Sequence, residues 1–410
     1  MTKFSKPKFI GFSLTLFLLT AFSSFAVYVF EYVYGNADGI WRDRDIVQST
    51  YKLLIVEAGI ILTVLGLFFS NKTISFTVFT ILFSLFLIFC LEKTSLAIVN
   101  LQAKASSAPN PNSVLRQDHE LSVEPDSVLG VKPKRNAHFV WVPRSQARTF
   151  DSVRISIDGL SRRITPDISN TKADKYALFL GCSYTYGDGV SDSETFPYYF
   201  QANAQGFKAY NMGYLSYSPL HALARLQHES PESHIKERNG VGVFTYINDH
   251  IDRVIPATRW IELTKGKFPY LNEANLQTEG LFCEQKRLYS DIVIEGQTSG
   301  IKQLFKLGYP RHHALKHYEL VIGILKKTEE EYVKRFKNNN FYVMIFPGNP
   351  MPAELKKLLI DSRMKYFDYS GLTTIEDKML PFDNAHPAPA LYEMVGRKLQ
   401  KDIEALDHSL

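Results

Sequence analysis

Residues 178–190 read LFLGCSYTYGDGV, an apolar run that stops abruptly at Gly181. Tyr176 to Leu180 are apolar or aromatic throughout, the pattern of a strand covered on both faces in a parallel sheet. Gly-Cys-Ser, a Gly-rich turn and a helix-like stretch follow. Ligands of open α/β sheets bind at the carboxyl ends of such strands. Ser183 is therefore either an ordinary turn residue or a nucleophile held at the mouth of a cleft.

Working outward, strand and helix signals alternate. The pattern predicts strands at 176–181, 207–212, 241–247, 341–346 and 364–369, with helices near 194–204, 218–229, 315–337, 352–361 and 389–405. This alternation specifies an α/β domain, a mostly parallel five-stranded sheet with helices on both faces. Upstream, AHFVWV and SVRISI, followed by Asp158-Gly159, read as a hairpin within 126–165. The interval 250–314 breaks the rhythm and reads as a long irregular insertion.

The predicted strand ends collect a specific set of side chains. The first strand ends at Ser183, the second at Asn211-Met212-Gly213 and the third, GVFTYIND, at Asn248-Asp249. Beyond the fifth, PFDNAHPAPALY places Asp383 and His386 three residues apart before the last helix. Acyl transfer needs these groups. A serine is a weak nucleophile until a base takes its proton. His386, ordinarily titrating near 6.5, suits that task, and Asp383 can fix its tautomer. Oxyanion donors are available in the N–H groups of Ser183 and Gly213 and the amide of Asn248. Gly-x-Ser, Asn-Asp and Asp-x-x-His are each common alone; their order and their placement at strand ends carry the reading.

These blocks resemble the SGNH/GDSL hydrolase superfamily over about 126–405. They are GCSYTYGDGVSDSETFPYYF, YNMGYLSYSP, FTYIND and DNAHP, and VRISIDGLSRR resembles the hairpin of membrane-tethered bacterial members. The resemblance implies a three-layer α/β/α fold and a serine esterase or acyltransferase with Ser183, His386 and Asp383 as triad. It implies an oxyanion hole from Ser183, Gly213 and Asn248, without cofactor or metal. One departure stands out: the family's Gly-Asp-Ser reads Gly-Cys-Ser here. An α/β-hydrolase elbow fits less well, because the second glycine of Gly-x-Ser-x-Gly is missing.

The front of the 410-residue chain differs from the rest. Apolar runs at 9–30, 53–69 and 74–91 are each about long enough to cross a ~30 Å hydrocarbon core. Lys3, Lys6 and Lys8 precede the first and predict a cytoplasmic amino terminus, with Arg42 and Arg44 offset by Asp38, Asp43 and Asp45 in the next loop. The first run alternatively reads as a cleaved signal ending near Ser24-Phe-Ala26. Either way the following domain is expected outside, giving an anchor over 1–100, a linker over 101–125 and a catalytic domain over 126–410. Glu57 is the only acid within a run and reads as a headgroup-level residue.

The expected substrate is an O-acyl ester, in particular an acetyl ester, on a cell-surface or secreted glycan. The alternatives are an O-acetyltransferase using the same acyl-enzyme, a catalytically silent glycan-binding or assembly subunit, and a lysophospholipase. A net charge of +5 is scattered, and Lys326-Lys327 and Lys334-Arg335 lie among glutamates, a solvated face rather than a nucleic-acid surface. Of three cysteines, Cys182 and Cys283 fall in the outer domain and are expected as separate thiols. His312, His313 and His317 lack the partners of a metal site, and Asp188 and Asp192 read as turn and cap residues.

Overall fold

The computed structural model describes residues 40–41, 44–45, 59, 72–106, 123–143, 149–167, 173–375, 377–383 and 385–407. The chain divides into two compact units, Met1–Asn100 and Leu101–Leu410. The runs at 9–30 and 53–69 lie outside the described residues.

The third run forms α1 (Lys72–Ser106), a helix of 35 residues that continues well beyond the expected end at 91. Its segment Phe83–Gln102 is the one stretch among the described residues long and apolar enough to cross a membrane. Phe83, Phe86, Leu87 and Ile88 are exposed along it. The helix absorbs the first residues of the stretch read as a linker.

Two hairpins open the second unit. The strands β1 (Val123–Asp126) and β2 (Gly130–Pro133) pair antiparallel, a hairpin the sequence pattern did not reveal. The expected hairpin follows as β3 (His138–Trp141) and β4 (Val153–Ser156), in register Phe139 to Ile155.

The central sheet has five parallel strands: β5 (Lys175–Leu180), β6 (Phe207–Asn211), β7 (Asn239–Tyr246), β10 (Phe341–Ile345) and β11 (Tyr366–Asp368). The order across it is β11-β10-β7-β5-β6. The chain therefore enters at β5, steps out to the edge strand β6 and returns on the other side as β7. The crevice beyond β5 and β7 is a topological switch point, where doubly wound sheets bind ligands.

Side-chain alternation builds the two faces. Ala177 and Phe179 of β5 join one apolar core with Phe196 and Phe200 of α3 (Phe196–Asn203) and Leu391, Val395 and Leu399 of α12 (Pro389–Asp407). Tyr176, Leu178 and Leu180 join the other, with Leu223 of α4 (Pro219–His228), Ile324 of α10 (Leu315–Phe336) and Leu355 of α11 (Ala353–Asp361). Burying each large apolar side chain contributes roughly 1.5–3 kcal/mol. Because both faces are covered, the strands read as continuous apolar runs.

The insertion at 250–314 is more regular than expected. It holds α5 (His250–Val254), α6 (Thr258–Thr264), a small hairpin of β8 (Pro269–Asn272) and β9 (Gln277–Leu281), and α7 (Phe282–Gln285), α8 (Arg287–Glu295) and α9 (Gly300–Leu304). Phe268 and Phe282 stack at its centre, with ring centroids 4.9 Å apart.

Candidate active site

Ser183 begins α2 (Ser183–Tyr186), a single turn directly after β5, and is 6% exposed. As the first helical residue it has no intrahelical acceptor for its N–H. Cys182 beside it is fully buried in the core, and all three cysteines are unpaired.

The loop before α12 brings the other two groups to this serine. His386 Nε2 lies 3.0 Å from Ser183 Oγ, and His386 Nδ1 lies 2.7 Å from Asp383 Oδ2. An ionised carboxylate only accepts, so Nδ1 carries the proton and the neutral ring's Nε2 accepts from the serine hydroxyl. Asp383 Oδ1 also accepts the N–H groups of Ala385 (2.9 Å) and His386 (3.1 Å). Burial works to raise the Asp383 carboxyl, but these bonds, led by that from the imidazole, hold it below the ordinary carboxylate value. The carboxylate thus stays ionised while orienting the ring.

Gly213 and Asn248 each make contacts at the strand ends. The Gly213 N–H donates to Asn211 Oδ1 at 3.1 Å, while the Asn211 amide donates to Thr185 O at 2.8 Å. A Cβ at Gly213 would meet Thr185 Cβ at 2.6 Å and Tyr186 N at 2.8 Å. The glycine is needed because the end of β6 packs against α2; its amide hydrogen is already engaged. Asn248 accepts from Tyr246 Oη (3.1 Å) and donates from Nδ2 to Pro350 O (3.1 Å). Its amide has a second N–H for another acceptor. Asp249 is exposed and reaches Arg253 at 3.4 Å.

Three residues carry more of the site than the sequence suggested. Tyr184 donates its hydroxyl to Ala385 O at 2.8 Å, joining α2 to the histidine loop. Arg163, fully buried, donates to the carbonyls of Tyr186 (2.8 Å), Gly187 (2.5 Å) and Val190 (2.6 Å). It also pairs with Asp192 Oδ1 at 2.9 Å, so Asp192 is a buried ion-pair partner; Ser191 with Glu194 caps the short turn Asp192–Glu194, and Thr195 caps α3. Asp188, fully buried, brings Oδ2 to 3.6 Å from His386 Nε2. Only its tertiary setting separates it from the turn residue expected. The one advance signal was the pair of glycines flanking it.

Elsewhere, His313 meets Asp252 at 2.7 Å and His317 meets the Tyr309 hydroxyl at 3.1 Å. Among the described residues no group of three metal-ligating side chains forms. A cavity of about 1370 Å³ opens at the opposite, amino-terminal end of the sheet, lined by Asp174, Lys208 and Asn239, away from Ser183.

No protein-family model matches the sequence, and no curated protein does. Among solved structures, the chain is similar to a member of the lipolytic protein G-D-S-L family from Veillonella parvula. That match has 9% identity and a TM-score of 0.30, over 55% of this chain and 97% of that one. It is also similar to an inhibitor-bound aryl esterase from M. smegmatis, at 9% identity and TM-score 0.32, over 57% of this chain and 99% of that one. A third such structure, TesA, gives 13% identity and TM-score 0.30, covering 56% and 99%.

Proposed function

We propose that this chain is a membrane-anchored serine esterase of the SGNH/GDSL type, cleaving O-acyl, in particular O-acetyl, esters on an extracytoplasmic glycan. The observation that carries the reading is the relay from Ser183 through His386 to Asp383, with links of 3.0 and 2.7 Å at the carboxyl end of β5. An unused surface serine has no need of a base that is itself held by an ionised carboxylate.

In this mechanism Ser183 Oγ attacks the ester carbonyl as its proton passes to His386 Nε2. Asp383 keeps the proton on Nδ1 and stabilises the imidazolium. The negative oxygen of the tetrahedral intermediate is met by the Ser183 N–H and the second N–H of Asn248, each donor contributing roughly 2.7–4 kcal/mol in the transition state. Collapse breaks the bond to the alcohol, which leaves with the proton from Nε2. Water, deprotonated by the same nitrogen, then releases the acid and restores the serine. Gly213 enters this account as the residue that lets β6 approach α2.

The location rests on charge and length. Lys3, Lys6 and Lys8 ahead of three apolar runs, an odd number, support an extracytoplasmic domain. Surface O-acyl esters are the substrates that position would offer.

The test is hydrolysis of p-nitrophenyl acetate by the detergent-solubilised full chain. Turnover by wild type and its loss by several orders of magnitude in Ser183→Ala are expected. Equal turnover by both would overturn the reading.

A further inference from the structure

We infer that Asp188 is a second carboxylate for the base, a charge-holding residue that faces Nε2 of His386 and stabilises its protonated form. This rests on His386 as the base in the reading above. The imidazole lies between two carboxylates: Asp383 Oδ2 at 2.7 Å from Nδ1 and Asp188 Oδ2 at 3.6 Å from Nε2. Nε2 is the atom that receives the serine proton, so Asp188 sits where positive charge develops.

The surrounding structure fixes that position from both sides. Gly187 and Gly189 adopt φ of 86° and 83°, which side-chain-bearing residues rarely do. A Cβ on Gly187 would come 2.5 Å from Thr195 Cγ2, and one on Gly189 2.3 Å from Leu380 Cδ1. The Gly-Asp-Gly turn is therefore pressed against the segment that leads into Asp383. Arg163 holds the turn by the carbonyls of Tyr186, Gly187 and Val190, and its own charge is met by Asp192. The Asp188 N–H donates to Ser183 O at 3.0 Å, locking the turn to the nucleophile's own residue. The turn thereby holds Asp188 Oδ2 at 3.6 Å from His386 Nε2.

The other groups near the ring do not replace it. Ser183 faces Nε2, and Tyr184 lies 5.9 Å away with its hydroxyl committed to Ala385 O. Arg253 of α5 pairs with Asp249, the residue that precedes that helix. During turnover Asp188 exchanges no proton. The serine proton moves to Nε2 and on to the leaving alcohol, and the carboxylate offsets the cation between those transfers. An opposite charge within ~4–6 Å raises a histidine's pKa by about one unit or more.

The experiment follows the imidazole directly. Full-length protein carrying ¹³C-histidine is titrated by NMR in detergent, with His386→Gln assigning the resonance. In Asp188→Asn the His386 titration is expected about one unit lower than in wild type. The acid limb of kcat/KM should move to lower pH with it, because the neutral base persists further into acid. A purely structural role would lower thermal stability and leave both positions fixed. A His386 titration unchanged in folded Asp188→Asn, or in the smaller Asp188→Ser should the first not fold, overturns the inference. The titration needs no substrate. A shifted titration in an inactive wild type would therefore remove the esterase reading alone, and an unshifted one in an active enzyme would remove Asp188 alone.

Discussion

The hydroxyl of Tyr184 donates to the carbonyl of Ala385 at 2.8 Å, so the residue after the serine is tied to the residue before the histidine. Ser183 and His386 are 203 positions apart in the chain, and their 3.0 Å approach depends on such ties. Tyr184→Phe keeps the ring against Phe346 and removes only the bond. We expect a stability loss of about 0.5–1.5 kcal/mol. Ester turnover should fall roughly tenfold with KM little changed, because misplacement of a catalytic group acts on the chemical step. Steady-state kinetics and thermal unfolding of the same preparation check both.

Asn248 and Asp249 form an internal comparison. If the Asn248 amide binds the oxyanion, Asn248→Ala should cut kcat by ~10²–10³ with substrate binding nearly unchanged. Asn248→Asp should be at least as harmful, since a carboxylate repels the developing charge. Asp249→Ala should be mild, because that side chain is exposed. Equal, small losses at both positions would confine Asn248 to its bonds with Tyr246 and Pro350.

Arg163 should matter through the fold of the turn. Its guanidinium serves three carbonyls and Asp192 while fully buried. Arg163→Ala leaves Asp192 buried without its partner, a change that typically costs ~3–5 kcal/mol. Lysine cannot reproduce the planar fork, so Arg163→Lys should rescue only part of that loss in thermal unfolding.

Two buried histidines predict how stability depends on pH. Burial, with the Arg253 charge adding to it, pushes His221 down to about 3, and burial likewise holds His250 well below its ordinary value. Each is neutral in the folded protein but titrates near 6.5 when unfolded, so below that pH the unfolded chain binds more protons. Stability from this source is complete above pH 6.5 and falls as pH drops. The slope approaches ~1.4 kcal/mol per pH unit for each histidine. Thermal midpoints between pH 7 and pH 4 should fall less steeply in His221→Gln than in wild type.

The fold was legible because parallel strands covered on both faces must be continuous apolar runs. Predicted 207–212 and 341–346 differ by one residue from Phe207–Asn211 and Phe341–Ile345. Helices with periodic apolar faces were equally readable, as 315–337 against Leu315–Phe336 illustrates. Ser183, Asp383 and His386 stood out as candidates because each lies at a predicted strand end or just before a predicted helix. What stayed hidden depends on contacts between distant segments. Arg163 looks like any exposed cation in Ser-Arg-Arg, and nothing local says that its guanidinium turns inward. Asp188 resembles a turn residue until the loop at 380–386 closes over it. The contact between the Gly213 N–H and Asn211 Oδ1, two residues earlier, could not be read from the sequence either.

The central claim is that Ser183 is the nucleophile. The most direct measurement is peptide mapping by mass spectrometry after the full-length protein reacts with a fluorophosphonate, which bonds covalently to activated serines. One phosphonylated residue, Ser183, is expected, with no adduct in Ser183→Ala and a greatly reduced yield in His386→Gln. An adduct on a different serine, or equal labelling of Ser183 without His386, would contradict it.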